Sequence, residues 1–378
     1  MRRFLYLATP PGPGHSSLFL DPAAPPVSMF SRSRRFLAGL VVGAAASGAS
    51  CLAALQLYGR REPVPDTAPR TSLEEFGFPL SGAETRQYIN HALSYDQAKK
   101  TPRWVIEHLS KEKMLGKADR KHCKFKPDPN IPQIFNASNE DYLKSGWSRG
   151  HMAPAGDNKF STEAMAQTFY LSNIVPQNYE NNAGFWNRLE MYCRDLTNRF
   201  DDVWIVSGPL VLPQMNEDGK KRVTYQVIGM NDVSVPSHLY KVILAKRKSP
   251  AETLAVGAFV IPNVPIGFDH QLPEYQVRLQ ELEKMSGLAF FPEVKSAEGL
   301  KNLCEEDSCR LIQLDEFKLY IAGRRMKNAR NMEKVEKIMS ELKEAEIQPD
   351  QYLSSLYEEK KRELESAGAS NQRERRIG

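Results

Sequence analysis

The chain has 378 residues, 41% of them hydrophobic and 26% charged, as in a globular protein with room for two domains or one large domain with appendages. Its net charge of +5 arises in residues 1–61, which carry +6, whereas the remaining residues carry about −1. This balance excludes a global positive field, so any contact with a polyanion must come from local basic clusters.

The first 35 residues are predicted to be a targeting segment without regular structure. Proline and small residues dominate as far as Met29, which offers a second translation start, and the choice between Met1 and Met29 stays open. Met29 is followed by arginine and serine without acidic residues, a composition typical of mitochondrial targeting.

Residues 36–58 are predicted to form a membrane-anchor helix. Residues 36–55 contain no charge, and twenty such residues can span a bilayer. Gly39 and Gly43 have the spacing that lets transmembrane helices approach closely. A cleaved targeting segment and a buried soluble helix are the alternative interpretations. Residues 59–72 are interpreted as a linker.

Residues 73–323 are predicted to form one α+β domain with a mainly antiparallel sheet flanked by helices, because strands and helices do not alternate regularly. Apolar runs predict strands at 102–107, 202–209, 237–244 and 254–262, and helical patterns occupy 185–200 and 272–286. The basic run 111–126 holds seven Lys or Arg against two acids. A solvated face and a contact with phosphates are both compatible with it.

Residues 324–366 are predicted to form a C-terminal appendage of two helices. Apolar residues recur at helical spacing from Met332 to Leu342, Pro349 interrupts the pattern, and a second helix is expected from about Gln351. Residues 367–378 are expected to be disordered.

The five cysteines form an odd and sparse set, which excludes a disulfide framework. Cys304 and Cys309 are close enough in sequence to pair, but two separate buried thiols fit equally well. No second Cys or His pair stands beside them at zinc-finger spacing, so a structural zinc site is not expected.

His151 and Arg149 are the first candidates for chemistry. Gly150 and Pro154 predict a bend at the end of a strand, where the His151 side chain can face a cleft. Hydrolysis of a phosphodiester needs a base that works at neutral pH and a cation for the phosphate, which His and Arg provide. A structural role for His151 is the competing interpretation.

Asn182 and Glu190 are candidates for a cation site. An amide oxygen suits Mg²⁺, which prefers oxygen ligands and keeps several waters. The helix predicted after Asn182 has an apolar stripe, and Glu190 lies off it, where it can reach a water at the cation. The spacing alone also allows Asn182 to be a helix cap and Glu190 a surface acid.

Three segments carry a family resemblance. They read Ser148-Arg149-Gly150-His151, then Leu171-Ser172-Asn173-Ile174-Val175-Pro176-Gln177, then Asn182-Ala183-Gly184-Phe185-Trp186-Asn187-Arg188-Leu189-Glu190. In this order they resemble the DNA/RNA non-specific endonucleases with a ββα-metal (His-Me finger) core, over roughly residues 73–320. The family pattern is Asp-Arg-Gly-His, so Ser148 replaces an aspartate.

The resemblance implies roles for individual residues. His151 becomes the general base, Asn182 the sole protein ligand of Mg²⁺, for which Mn²⁺ can substitute, and Glu190 the residue that orients a metal-bound water. The other implied site residues are Arg149 near the scissile phosphate, Asn173 in support of the site, and Arg120, Ser148 and Lys159 in substrate binding.

The resemblance also implies a function. Ser148, the anchor and the appendage are similar to the mitochondrial exo/endonuclease branch of the family. That branch implies 5′→3′ exonuclease and endonuclease activity on DNA, RNA or a hybrid, without strong sequence preference, in mitochondrial DNA repair or processing. A homodimer at the inner membrane, with the nuclease domain facing the intermembrane space, is expected. The alternatives are an internally cutting, endonuclease G-like enzyme and a catalytically weak nucleic-acid-binding protein.

Overall fold

The computed structural model describes residues 83–248, 253–294 and 300–377, with side chains described as far as residue 366. The predicted targeting segment 1–35, anchor 36–58 and linker 59–72 lie outside these ranges, as does the predicted start of the domain at residue 73. Within the described ranges, no helix combines the length and the apolar character that a membrane crossing requires.

Fourteen strands occur in the described ranges, and most belong to one sheet. They are β1 Thr85–Gln87, β2 His91–Asp96, β3 Thr101–Leu109, β4 Ser148–His151, β5 Ile174–Gln177, β6 Asp202–Leu210, β7 Gln214–Met215, β8 Lys221–Arg222, β9 Val227–Ile228, β10 Val233–Ser234, β11 His238–Arg247, β12 Thr253–Pro262, β13 Gln276–Val277 and β14 Leu300–Asn302. The four strands predicted from apolar runs are confirmed as β3, β6, β11 and β12.

The central sheet has eight strands in the order β1-β2-β3-β6-β11-β12-β13, and β14 also pairs with β12. Every neighbouring pair is antiparallel except β12 with β14. The prediction of a mainly antiparallel sheet is confirmed. The ladders pair residues distant in sequence, such as Val105 with Ser207 and Val206 with Val242.

Successive side chains along each strand point to opposite faces of the sheet. Both faces are buried, each against its own hydrophobic core. Ile205 and Ile243 face one core, which also contains Trp186 and Leu189. Their neighbours in sequence face a second core with Leu282. The sheet is therefore the middle of three layers, with the helix that carries the candidate site on one face.

Nine α-helices surround or follow the sheet in the described ranges. They are α1 Asn139–Tyr142, α2 Thr162–Gln167, α3 Tyr179–Asn181, α4 Asn187–Leu196, α5 Leu279–Ser286, α6 Leu303–Glu306, α7 Leu314–Lys327, α8 Met332–Glu344 and α9 Gln351–Ile377. A π-helical turn, Asn182–Trp186, leads directly into α4. The short 3₁₀ turns include Arg120–His122, Ala155–Asp157 and Leu171–Asn173.

Strands β4 and β5 pair as a short ribbon, and the π turn and α4 follow it in the chain. Phe185, Leu189 and Leu196, part of the predicted apolar stripe, are completely buried against the sheet. This ββα unit confirms the predicted core architecture.

The helix predicted over 272–286 is wrong in its first half. Leu272–Tyr275 is a 3₁₀ turn, and Gln276–Val277 is strand β13, paired with Ala258 and Phe259 of β12. Hydrogen bonds to the sheet edge override the helical pattern, and the helix begins only at Leu279.

The predicted appendage contains three helices, α7 to α9, here called the C-terminal helical unit. Helices α8 and α9 confirm the two predicted ones. The predicted boundary at 323/324 lies inside α7, whose Ala322 and Met326 are buried in one core with Val335 and Leu353. Helix α9 continues to Ile377, past residue 367, where the tail was predicted to begin.

The segment between the sheet and the helical unit, residues 303–312, is linked to α4 by hydrogen bonds. Cys304 and Cys309 form a disulfide, which settles the alternatives that the sequence left open. Asp307, within that loop, accepts hydrogen bonds from Tyr192 (2.7 Å) and Arg199 (2.7 Å). The buried Arg188 of α4 donates through Nε to the Ile312 carbonyl at 2.9 Å.

Candidate active site

The β4–β5 ribbon fixes the position of His151. His151 ends β4 and lies opposite Ile174. One residue earlier, a Cβ atom on Gly150 would lie 2.1 Å from Gln177 Oε1 and 2.7 Å from Gln177 Cβ, so glycine is required for this close approach. The predicted bend at the strand end is confirmed.

His151 is held as a neutral base. Its ring lies between the rings of Phe125 and Phe169, with centroids 5.2 and 4.9 Å away. Burial lowers the pKa of His151 to about 3, and the charges of Arg120 and Arg149 act in the same direction. Its buried Nε2 has no hydrogen-bond partner among the described residues. An unpaired nitrogen of this kind can accept a proton from a water in the cleft.

The Asn182 amide has a defined orientation. Its Nδ2 donates to Ser148 Oγ at 3.0 Å, and that hydroxyl donates to the Gln177 carbonyl at 2.8 Å. The carboxamide oxygen is thereby directed away from Ser148. The helix-cap role considered for Asn182 falls to Asn178, whose side chain accepts from the Asn181 amide. A π turn such as the one Asn182 begins is often found at a functional site.

Glu190 lies one helical turn before Arg194 on α4, and both line the same cleft as Asn182. Burial raises the pKa of Glu190 to about 7, and Asp157 adds to the rise, whereas Arg194, Lys241 and Arg120 oppose it. Glu190 is therefore not the surface acid that the sequence also allowed.

Sequence reasoning missed Arg194 and its buried partner. Arg194 Nη1 donates to Asp157 Oδ1 at 2.6 Å, and the Asp157 side chain is 1% exposed. The guanidinium also lies close over Gly156, where an added Cβ would be 3.2 Å from Nη1. A signal was present in the sequence, because Arg194 follows Glu190 by four residues on a predicted helix and so shares its face.

Arg149, Arg120 and Lys159, for which the resemblance implies substrate contacts, also line the cleft. Arg149 stacks over Phe125 at 4.4 Å and donates to Asn139 Oδ1 at 2.6 Å. Arg120 lies over Phe169, 5.9 Å from its centroid. Two of these cations thus lie on the same aromatic rings that enclose His151, so one aromatic cluster orients His151, Arg149 and Arg120.

Two predicted site residues do not line the cleft. Ser148 lies behind Asn182 and bonds it, so it is placed to orient that amide rather than to bind substrate. Asn173 is completely buried. Its Oδ1 accepts a hydrogen bond from the Ala153 amide at 2.9 Å, and its Nδ2 donates to the carbonyls of Ala153 (2.9 Å) and Thr168 (2.8 Å). The hydrogen bonds of the Asn173 side chain therefore hold the backbone that follows His151.

The cleft has a volume of about 820 Å³ and two walls. The nuclease domain forms one, and the C-terminal helical unit forms the other with Tyr320, Arg324, Lys327 and Tyr352. Arg324 lies 5.8 Å from the Tyr320 ring and Lys327 lies 5.4 Å from the Tyr352 ring. The cleft therefore presents cations on both sides of His151.

The donor set fits a single hard cation. Within the described ranges, His, Cys, Asp and Glu side chains form no group of three or more that could hold a metal. The oriented Asn182 oxygen, with Glu190 in the same cleft, suits a hard divalent cation that has few protein ligands and keeps several waters.

A neutral imidazole, an oriented amide, a carboxylate and guanidinium groups that meet in one cleft beside a ββα unit are suited to the hydrolysis of a phosphodiester. Comparison with known proteins gives the family. The model of the DNA/RNA non-specific endonucleases matches residues 70–297, and that of the endo/exonuclease (EXOG) C-terminal domain matches residues 312–360. The chain belongs to the DNA/RNA non-specific endonuclease family and is a hydrolase that acts on phosphodiester bonds.

Named relatives agree with this assignment. The mitochondrial nuclease EXOG of Xenopus laevis is 70% identical, over 91% of this chain and 97% of the relative. The human mitochondrial nuclease EXOG is 60% identical over 88% and 94%. One chain in the crystal structure of the EndoG/EndoGI complex superposes with a TM-score of 0.56 at 38% identity, covering 62% of this chain and 96% of that one.

Proposed function

We propose that this chain is a mitochondrial nuclease that cleaves DNA, and RNA, without strong sequence preference, with 5′→3′ exonuclease and endonuclease activity. The observation that carries the proposal is the unpartnered Nε2 of His151 in one cleft with the oriented Asn182 amide and several arginines. The names of the relatives, such as the mitochondrial nuclease EXOG, support the compartment.

The proposed chemistry follows from the charges in the cleft. His151 takes a proton from the attacking water through Nε2, and Arg120, Arg149 and Arg194 bind the phosphate and its developing charge. Glu190 accepts a hydrogen bond from a water beside Asn182. Mg²⁺, or Mn²⁺ in its place, would be held by Asn182 and would supply positive charge for the phosphate and the leaving oxygen.

The exonuclease component rests on the shape of the cleft. The C-terminal helical unit covers one side with Tyr320, Gly323 and Tyr352, next to the residues around His151. A wall in this position limits how far a strand extends beyond the scissile bond and so favours cleavage near an end. Repair or processing of mitochondrial DNA is the process that such a nuclease would serve.

The inner-membrane anchor, the orientation toward the intermembrane space and the homodimer stay predictions. The anchor lies outside the described residues, and the support for a dimer is the family resemblance.

The test is cleavage of end-labelled linear DNA and closed circular DNA by wild-type protein, with Mg²⁺ and with EDTA. His151→Ala should abolish cleavage and keep substrate binding. His270→Ala is the matched control, because His270 is exposed and pairs with Glu274 away from the cleft. Near-normal cleavage by His151→Ala would refute the mechanism. Rapid nicking of circles would favour the internally cutting alternative, and no Mg²⁺-dependent cleavage by wild type would favour the weak binding protein.

A further inference from the structure

A basic groove of about 520 Å³ lies between helices α7 and α8, on a face of α7 next to the one that lines the cleft. Arg324, Lys334 and Lys337 line it over a floor that includes Ile321 and Ile338. Among the described residues, no acidic side chain lines this groove. The composition of the segment would not suggest it, because acidic and basic residues are about equally common from 324 to 366.

Two acidic side chains of α8 contact partners outside the groove or at its edge. Glu341 forms an ion pair with Arg325 at the edge of the groove. Glu336 accepts a hydrogen bond at 2.8 Å from Tyr357 of α9. Lys334 and Lys337 form no ion pair with any described residue, and at a spacing of three residues they share one face, with Cβ atoms about 5 to 6 Å apart. The charged side chains that line the groove are therefore all basic, although the segment contains acidic and basic residues in about equal numbers.

The groove is continuous with the cleft. Arg324 and Asn328 line both, so a strand that leaves the cleft past Arg324 reaches the groove by passing round α7. A helix is about 10 Å across. A stacked strand covers that distance in about three nucleotides, at about 3.4 Å each.

We propose that this groove binds the phosphate backbone of the substrate strand beyond the cleft, with Lys334 and Lys337 as phosphate contacts. The inference rests on the proposed nuclease function and adds a binding site outside the catalytic cleft. Contacts of this kind bind without reading sequence and weaken as salt rises. The competing interpretation is a basic face that only solvent contacts.

The experiment uses the full chain and two single-stranded DNA oligonucleotides, a short one that fits within the cleft and a longer one that extends beyond it. Binding is measured by fluorescence anisotropy in EDTA over a range of salt, and cleavage is measured separately with Mg²⁺. The variant is Lys334→Ala/Lys337→Ala. The charge-matched control is Lys343→Ala/Arg362→Ala, which removes two exposed cations of α8 and α9 that line neither the groove nor the cleft.

The variant should bind the longer oligonucleotide about tenfold more weakly, as expected for two exposed charge contacts. Its plot of log affinity against log salt should be shallower by about 1.4. Binding and cleavage of the short oligonucleotide should not change, and the control should behave as wild type. Unchanged binding of the longer oligonucleotide, or an equal loss for both lengths, would overturn the proposal. A wild-type protein that binds with this length dependence but does not cleave would refute the proposed function alone.

Discussion

Gly150 offers a sharp test of the ribbon geometry that positions His151. In Gly150→Ala the new Cβ would lie 2.1 Å from Gln177 Oε1 and 2.7 Å from Gln177 Cβ. The Cβ of Gln177 is attached to the backbone of β5, so rotation of the side chain cannot relieve the clash. Either Gln177 and β5 move away, or β4 moves with His151.

The expected loss in the free energy of unfolding follows from the contacts that Gly150→Ala would disturb. Overpacking of this kind costs about 1 to 3 kcal/mol. Displacing Gln177 also weakens its 2.9 Å bond to Asn181 Oδ1, at about 1 kcal/mol. A total of about 3 kcal/mol corresponds to a melting temperature about 6 to 12 °C lower for a domain of about 250 residues, the length predicted for the nuclease domain. Cleavage should fall as well, because the clash lies next to His151.

Gly184→Ala is the matched control, since Gly184 lies in the π turn of the same ββα unit and no atom would come within 4 Å of its new Cβ. In this helical turn alanine should be neutral or stabilise by up to about 1 kcal/mol. Thermal melting followed by circular dichroism and a Mg²⁺-dependent cleavage assay measure both variants. Gly150→Ala melting within a degree of wild type, with normal cleavage, would show that the ribbon does not hold His151 as described.

Two further predictions concern the charges beneath the cleft. Asp157→Asn should lower the free energy of unfolding, measured by urea denaturation, by about 3 kcal/mol, because it leaves the largely buried Arg194 without its carboxylate. The control Asp195→Asn, in an exposed pair with Arg199, should lower it by under about 1 kcal/mol. Equal losses for the two variants would contradict the buried pair. The wild-type cleavage rate should rise with pH through the ionisation of Glu190, whose pKa is raised to about 7, while His151, with its pKa lowered to about 3, stays neutral in that range. A pH–rate profile of Glu190→Gln should lack this rise, and a variant that keeps it would assign the ionisation to another group.

The sequence predicted the parts of the fold that local pattern determines. Apolar runs gave the four long strands, and the stripe from Phe185 to Phe200 gave the buried face of the helix that carries Glu190. The order of the three motifs predicted that His151 and Asn182 belong to one site, and both line the same cleft.

Contacts between distant residues could not be predicted in this way. Asp157 and Arg194 are 37 residues apart and meet only when the ββα unit folds. The paired partner of Gln276 lies on β12, so a helical pattern in sequence gave way to a sheet edge. The start of α7 at Leu314 was missed although Gln313 and Glu316 form a capping box, because the apolar spacing of α7 is irregular.

The hydrogen bond from Arg188 to Ile312 determines where this chain can be shortened. A version that ends before residue 312 would leave Nε of the buried Arg188 without its carbonyl acceptor, at a cost of about 1 to 3 kcal/mol, two residues from Glu190. Residues 303–312 lie between the domains in sequence, but physically they complete the nuclease. A shortened protein that contains only the catalytic core should therefore end after Ile312 and before α7. An earlier end would disturb the active site, and the loss of activity could not be assigned to the missing helical unit.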